Sequence, residues 1–294
     1  NQKIGLGHEV AGEVVKIGAK VTKFKVGDKV LIEPGVPDDT CEYCRTGRYN
    51  ICPGVDFMAT QPNYKGALTQ YMTHPEEWTY HIPEGMTTME GALVEPAAVG
   101  MHAAVLGGAQ PGKSIVILGG GTIGLMVLQA CISLGATDIT VVDVIEKRLE
   151  LAKKLGAARV INGKEEDTVA VLRSEEMYGD HGVDLVFEAA GAVFTAQQAV
   201  QIVSRGGKIM MVGTQSKPVP IDFLKINREV TIQTSFRYCN NFPQTIEAIS
   251  SGRFNVKDMV TNIYDYEDVQ KAFEEAIDPV KKTEMVKGVI KVAE

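Results

Sequence analysis

The sequence predicts an α/β protein in which a doubly wound parallel-sheet domain follows a smaller, mostly β domain, and three observations carry that reading. Apolar runs at Ser114–Leu118, Ile139–Val142, Val183–Phe187, Lys208–Val212 and Val230–Thr234 alternate with helix-period segments such as Glu146–Leu155 and Thr195–Val203. Near-continuous apolar strands separated by helices are what a parallel sheet covered on both faces requires. Residues 1–96 have another texture, with short β-like runs (Glu9–Ile17, Lys29–Ile32) broken by Gly and Pro. A glycine-rich turn joins the first apolar run of the second region to a helix. The boundaries expected are therefore 1–96, 97–238 and 239–294. The last holds amphipathic stretches Pro243–Ser250 and Asp268–Ala276 and a final β-like run Gly288–Val292.

Composition bounds the function. A chain of 294 residues, 45% hydrophobic and 23% charged, is long enough for two globular domains and unlike disordered, collagenous or coiled-coil sequences. With 30 Lys+Arg against 37 Asp+Glu, the net charge of −7 argues against nucleic acid as a partner, because phosphate-backbone binding rests on clustered cations. The longest apolar stretch, Ser114 to Ala136, is broken by Gly119-Gly120-Gly121 and Gly124 and contains Gln129. That suits a strand, a turn and a buried helix rather than a membrane span, so no membrane partner is expected. The opening Asn1-Gln2-Lys3-Ile4-Gly5-Leu6-Gly7 has neither an initiating Met nor an apolar signal core. The natural start is expected upstream, and with no targeting segment visible the expected compartment is the cytoplasm.

Gly119-Gly120-Gly121-Thr122-Ile123-Gly124 matches G-x-G-x-x-G, weak alone but strong after the strand Ile115–Leu118 and before an apolar helix. Asp143 ends the next strand, 19 residues after Gly124. This is the order of a Rossmann unit: glycines allow a tight turn, the helix N-terminus faces a pyrophosphate, and the acid accepts hydrogen bonds from the ribose. An acid there repels a 2′-phosphate, which favours NAD over NADP; Arg148 close by is the one feature that tempers the choice. The same glycines would also serve a plain strand–helix junction or another nucleotide-like ligand such as S-adenosylmethionine.

Three of the five cysteines form Cys41-x2-Cys44-x7-Cys52, and the same x2 interval backwards reaches Asp38. In so Cys-poor a chain the cluster reads as a metal site rather than a disulfide framework. A structural Zn²⁺ takes four tetrahedral ligands and accepts a carboxylate among them, so Asp38, Cys41, Cys44 and Cys52 are its expected ligands. The alternative is a lobe of free thiols without metal. His8-Glu9 and Glu95-Pro96 carry little by themselves. His74, His81, His102 and His181 are expected in loops or helices, Cys131 in the core, and Glu165-Glu166-Asp167 and Glu175-Glu176 on a solvated helix surface.

Gly7-His8-Glu9, Phe24-Lys25-Val26-Gly27-Asp28-Lys29-Val30, the cysteine lobe, Glu95-Pro96, the glycine turn and Phe236-Arg237-Tyr238-Cys239-Asn240-Asn241 together resemble the medium-chain zinc-dependent dehydrogenases, and most of all the sorbitol (polyol, L-iditol) dehydrogenase group. The resemblance implies a GroES-like β domain carrying zinc, a Rossmann domain, and a C-terminal return to the first domain. It implies a catalytic zinc held by His8, Glu9, Glu95 (directly or through water) and a Cys upstream of Gly7, where this chain offers none. Cofactor contacts are implied at Ile123, Asp143, Arg148, Val212-Gly213-Thr214 and Ser235-Phe236-Arg237, beside Gly119, Gly121 and Gly124. Polyol contacts are implied at Phe57, Glu95, Arg237 and Tyr238.

The chemistry implied is NAD-dependent oxidation of a sugar alcohol to a ketose. Zinc lowers the pKa of the substrate hydroxyl, hydride passes to nicotinamide, and Glu95 helps carry the proton away. A dimer or tetramer of identical chains is implied as well. The alternatives are a sibling acting on threonine, butanediol or simple alcohols, and a non-catalytic nucleotide-binding protein. For Arg237 and Tyr238 themselves the alternative is an interdomain salt bridge and a packed aromatic.

Overall fold

The computed structural model describes residues 4–61 and 65–293; Asn1–Lys3, on which the absent start was read, lie outside the described residues. The first region is built of short antiparallel pieces. β2 (Lys29–Ile32) lies between β1 (Ala11–Glu13) and, later in the chain, β5 (Thr79–His81), with Leu31 opposite both Ala11 and Tyr80. The expected strand over Glu9–Ile17 is shorter than its apolar run. After Glu13 one further rung joins Val14 to Asp28 and Gly27, and the chain then leaves the sheet with Val15 and Ile17 exposed. β3 (Gly35–Val36) and β4 (Asp56–Phe57) pair at the base of the cysteine lobe, which contains the one-turn helix α1 (Glu42–Arg45). His81 sits on β5 rather than in a loop or helix, its ring against Phe24.

α2 (Thr88–Ala92) starts with a capping box in which Thr87 and Glu90 satisfy each other's backbone N–H groups. α3 (Val94–Gly107) follows at once and is buried along most of its length. The parallel sheet then assembles from β6 (Ser114–Leu118), α4 (Thr122–Ser133), β7 (Asp138–Asp143), α5 (Glu146–Lys154), β8 (Arg159–Asn162), α6 (Thr168–Leu172), β9 (Val183–Glu188), α7 (Val193–Ile202), β10 (Val203–Met211) and β11 (Thr231–Thr234). Its strand order is β11-β10-β9-β6-β7-β8. The double burial shows residue by residue on β6: Ile115 and Ile117 pack with Met101 and Leu125 on one face, Val116 and Leu118 with Val186 and Ile202 on the other. The Ser114–Ala136 stretch is thus a strand, a turn and a helix, and no helix among the described residues is long and apolar enough to cross a membrane.

Glu165, Glu166, Glu175 and Glu176 are exposed as expected but stand in turns and bends, not on a helix; Asp167 caps α6 through the N–H groups of Val169 and Ala170. Acids this close to a helix start complete its unsatisfied donors instead of extending it. The C-terminal return comprises α8 (Phe242–Ser250), β12 (Val260–Asp265), α9 (Val269–Ile277) and β13 (Lys287–Lys291), with β12 and β13 parallel. It is fastened to the rest by Thr122 Oγ1, which donates to Val286 O at 2.5 Å, and by an ion pair between Lys287 and Glu9.

Two glycines of the β6–α4 turn are demanded by geometry. Gly119 has φ +109°, and a Cβ on Gly124 would lie 1.8 Å from Gly119 O. Gly124→Ala is therefore expected to push α4 off the strand and cost about 1–3 kcal/mol. Chemical denaturation measures this, and an unchanged midpoint would contradict the packing described.

Candidate active site

Glu95 lies in the first turn of α3, where the helix dipole favours a carboxylate, and is only 5% exposed. His8 and Glu9 approach it from the segment before β1, and one donor atom from each of the three lies within 4.8 Å of the others. His8 Nε2 is 3.8 Å from Glu95 Oε1, and its ring meets the edge of Phe57 at 5.3 Å. Burial, then the charge of Glu9, pushes the Glu95 carboxyl up to about 8, while burial holds the His8 imidazole below its usual value. A neutral imidazole and two carboxylates, one of them poorly solvated, form a donor set for a divalent cation, whose charge would return Glu95 to its ionised form. Among the described residues no cysteine joins this cluster.

The segment after β11 closes the site. Arg237 stacks its guanidinium 3.8 Å over the Phe57 ring and 4.7 Å from Phe236, and no ion pair holds it among the described residues. Tyr238 is 2% exposed with its ring edge on Phe242, and its hydroxyl is buried beside Glu95 without reaching hydrogen-bond geometry. Burial, and then the Glu95 charge, raises the Tyr238 phenol well above its ordinary pKa, which keeps it a donor. Arg237 Nη1 is likewise buried without a partner among the described residues.

The residues assigned to a dinucleotide fall along one edge of the sheet. Gly119, Gly121, Ile123 and Gly124 follow β6, Asp143 ends β7, Val212-Gly213-Thr214 follow β10 and Ser235-Phe236-Arg237 follow β11. All stand at strand carboxyl ends, near the point between β6 and β9 where the strand order reverses. Gly121 caps α4 without a side-chain acceptor, which leaves first-turn N–H groups for an anion. Asp143 accepts from Gly120 N at 2.6 Å and from Val144 and Ile145, and Arg148 Nη1 lies 3.8 Å from it. Arg148 Nε and Ser235 Oγ are buried and without partners among the described residues, as the cradle of a polar ligand would be.

In the cysteine lobe all four residues picked by spacing converge. Donor atoms of Asp38, Cys41, Cys44 and Cys52 lie within 4.8 Å of one another, with Cys41 Sγ 3.4 Å from Cys44 Sγ and Cys44 Sγ 3.6 Å from Asp38 Oδ1. The thiols are free. The N–H groups of Thr40 and Cys41 hold the Asp38 carboxyl down to about 2, so it is anionic at neutral pH. A set of one carboxylate and three sulfurs suits a closed tetrahedral zinc site.

Sequence reasoning missed Glu33. It ends the apolar run Val30-Leu31-Ile32, is 0% exposed, and accepts hydrogen bonds from Tyr49 OH at 2.8 Å and Tyr80 OH at 3.0 Å. The signal available was an acid following an apolar strand, which carries no partner information by itself.

Residues 1–84 match the alcohol dehydrogenase GroES-like domain family and residues 122–251 the zinc-binding dehydrogenase family. An uncharacterized zinc-type alcohol dehydrogenase-like protein of Escherichia coli (strain K12) is 64% identical over 100% of this chain and 84% of its own. The sorbitol dehydrogenase of Bacillus subtilis (strain 168) is 42% identical over 92% of this chain and 77% of its own. A crystal structure of an Escherichia coli oxidoreductase/dehydrogenase of unknown specificity, described as involved in membrane biogenesis, superimposes with a TM-score of 0.97 at 63% identity, covering 100% of this chain and 84% of that one.

Burial raises the Glu33 carboxyl from 4.5 to about 7, against the lowering effect of its two phenol donors. The folded state therefore holds this proton more tightly than the unfolded chain. The stability it contributes is full below about pH 4.5 and is lost as pH rises through about 7, a change of about 3 kcal/mol. Glu33→Gln should remove that component, so that unfolding free energies of the two proteins converge or cross between pH 5 and pH 8; parallel pH curves would show that Glu33 does not titrate as described.

Proposed function

The chain belongs to the zinc-dependent medium-chain dehydrogenase superfamily, in its sorbitol (polyol) dehydrogenase group, and on that premise we propose that it oxidises a sorbitol- or xylitol-like sugar alcohol to the ketose with NAD. The observation that carries the reading is a pair of buried donors next to Glu95, Arg237 Nη1 and Tyr238 OH, that lack a partner in hydrogen-bond geometry among the described residues. A simple alcohol would leave them unsatisfied, whereas the extra hydroxyls of a polyol satisfy them, and a site built to bond hydroxyls rejects analogues that lack them.

His8, Glu9 and Glu95 would hold the catalytic zinc, and Asp38, Cys41, Cys44 and Cys52 a second, structural one. The metal supplies a Lewis acid that makes the substrate hydroxyl more acidic. Glu95, kept ionised by the charge of the metal, receives the proton at its carboxylate oxygen. Phe57 and the Arg237 guanidinium stacked on it form a wall beside His8 that keeps water from the carbon losing hydride. Gly119, Gly121, Ile123 and Gly124 seat the pyrophosphate at the α4 N-terminus. Asp143 takes the ribose hydroxyls and repels a 2′-phosphate, Arg148 steadies Asp143, and Val212, Gly213, Thr214, Ser235 and Phe236 line the nicotinamide half. The proposal places the enzyme in the cytoplasm as a dimer or tetramer. The unpaired sheet edge β11 and exposed Phe223 and Leu224 are the features that support self-association.

A substrate panel with NAD tests the reading. Xylitol or sorbitol is expected to be oxidised with kcat/KM roughly 100-fold or more above primary alcohols, butanediol and threonine. Turnover of simple alcohols with none of polyols would overturn it. Asp143→Ala is expected to weaken NAD binding by about tenfold or more, as loss of charge-assisted hydrogen bonds does, and to narrow the preference over NADP. Unchanged NAD affinity in a titration would remove the assigned ribose contact.

A further inference from the structure

We propose that Glu33 is a positioning residue for the substrate site: through the Tyr49 hydroxyl it fixes the Phe236–Asn240 segment, and with it Arg237 and Tyr238, against the His8–Glu95 cluster. The inference rests on the reading of Arg237 and Tyr238 as substrate contacts.

Glu33 is anchored on all sides. Its N–H donates to Trp78 O at 2.8 Å, the His74 ring nitrogen Nε2 is 2.9 Å from its carbonyl oxygen, and its two carboxylate oxygens receive the Tyr49 and Tyr80 hydroxyls. Among the described residues no cation pairs with it, so the phenols are its side-chain partners. Tyr49 OH, having donated to Glu33, accepts the Asn240 N–H at 2.8 Å. A hydroxyl that donates to a carboxyl is a stronger acceptor, so the two bonds reinforce each other.

The segment it holds needs holding. Arg237 has φ +52° and Asn240 φ +58°, left-handed conformations that non-glycine residues keep only when their surroundings impose them. Those surroundings come from residues 47–50. Asn50 Nδ2 donates to Phe236 O at 2.9 Å, and Asn240 Nδ2 donates to Gly47 O at 2.9 Å. Arg237 and Tyr238 lie between these two fastenings. The second phenol works on the far side: Tyr80 stacks on Phe242 at 5.4 Å, and Phe242 receives the edge of Tyr238 at 5.0 Å. One carboxyl thus orients both aromatic residues that brace the segment, one by its backbone and one by its tyrosine ring.

The test uses the full chain with Glu33→Leu, Glu33→Gln and Glu33→Asp, read by amide hydrogen exchange of residues 236–241 and by steady-state kinetics with xylitol or sorbitol. Glu33→Leu, which leaves both phenols without their carboxyl acceptor, should speed exchange of that segment roughly tenfold and raise the polyol KM roughly tenfold. Its kcat and zinc content should stay within about twofold, because uniform substrate binding is what is lost, and its NAD affinity should fall by less than the polyol KM rises, since of the held segment Phe236 alone lines the nicotinamide half. Glu33→Gln, whose amide oxygen still accepts one hydroxyl, should recover most of both effects. Where Glu33→Leu fails to fold, Glu33→Asp carries the test, since its carboxyl falls one methylene short of Tyr49 and should loosen the same segment. Trp78, the one tryptophan of the chain, packs 4.9 Å from the Tyr49 ring, and its emission should change in the Leu and Asp variants. Unchanged exchange in a folded Leu or Asp variant overturns the proposal, as does a parallel fall of kcat, NAD affinity and zinc content. Faster exchange in a protein that turns over no polyol keeps the positioning role and removes only the substrate reading.

Discussion

β6 and β9 lie side by side in one parallel sheet while the chain winds away from them in opposite directions, and the crevice this leaves at their carboxyl ends sets the place of everything else. Parallel pairing throughout the six strands brings each strand to its end on the same edge. The glycine turn, Asp143, the Val212 turn and the Ser235 segment therefore line up, although more than a hundred residues separate the first from the last. The crevice narrows where Gly124 lets α4 touch the end of β6, and any side chain there would meet Gly119 O. Close backbone approach is what puts bare N–H groups within reach of a phosphate.

Two acids share the problem of a charge taken out of water, and the fold solves it in two ways. Glu95, at the start of α3, faces His8 and Glu9, a set of three donors that suits a cation. Glu33 faces two phenols and a fixed backbone, so its burial is completed by hydrogen bonds alone. The first arrangement concentrates reactivity at one place; the second stiffens the frame around it. They meet at Tyr238, which lies beside Glu95 and whose phenol also feels the charge of Glu33.

The cysteine lobe links these layers. Asp38, Cys41, Cys44 and Cys52 close a short loop, and Gly47, Tyr49 and Asn50 inside that loop hold the segment bearing Arg237 and Tyr238. A lobe that the sequence marks only as a metal-binding turn therefore also bears on the segment of Arg237 and Tyr238.

Features with a local cause could be read directly. The period of the apolar runs, the G-x-G-x-x-G turn and the acid at the end of the next strand depend on neighbours in the chain, and so does the x2 spacing that brings Asp38 to the thiols. Short elements with a non-local cause were misjudged: β1 covers a fraction of its apolar run because pairing with β2 ends after Val14, and His81 joins a strand only because β2 lies alongside. The Lys287–Glu9 pair, the orphaned donors of Arg237 and Tyr238, and the network around Glu33 join segments up to 278 residues apart. The sequence by itself thus determined the α/β class, the glycine turn and the grouping of Asp38 with three cysteines, since each follows from local periodicity or spacing, whereas His8, Glu9, Glu95, Arg237 and Tyr238 were singled out only by resemblance. Which acids are buried, which donors are left without partners, and which residues fasten the Phe236–Asn240 segment were decided by the tertiary structure, because burial and pairing arise only when distant segments pack.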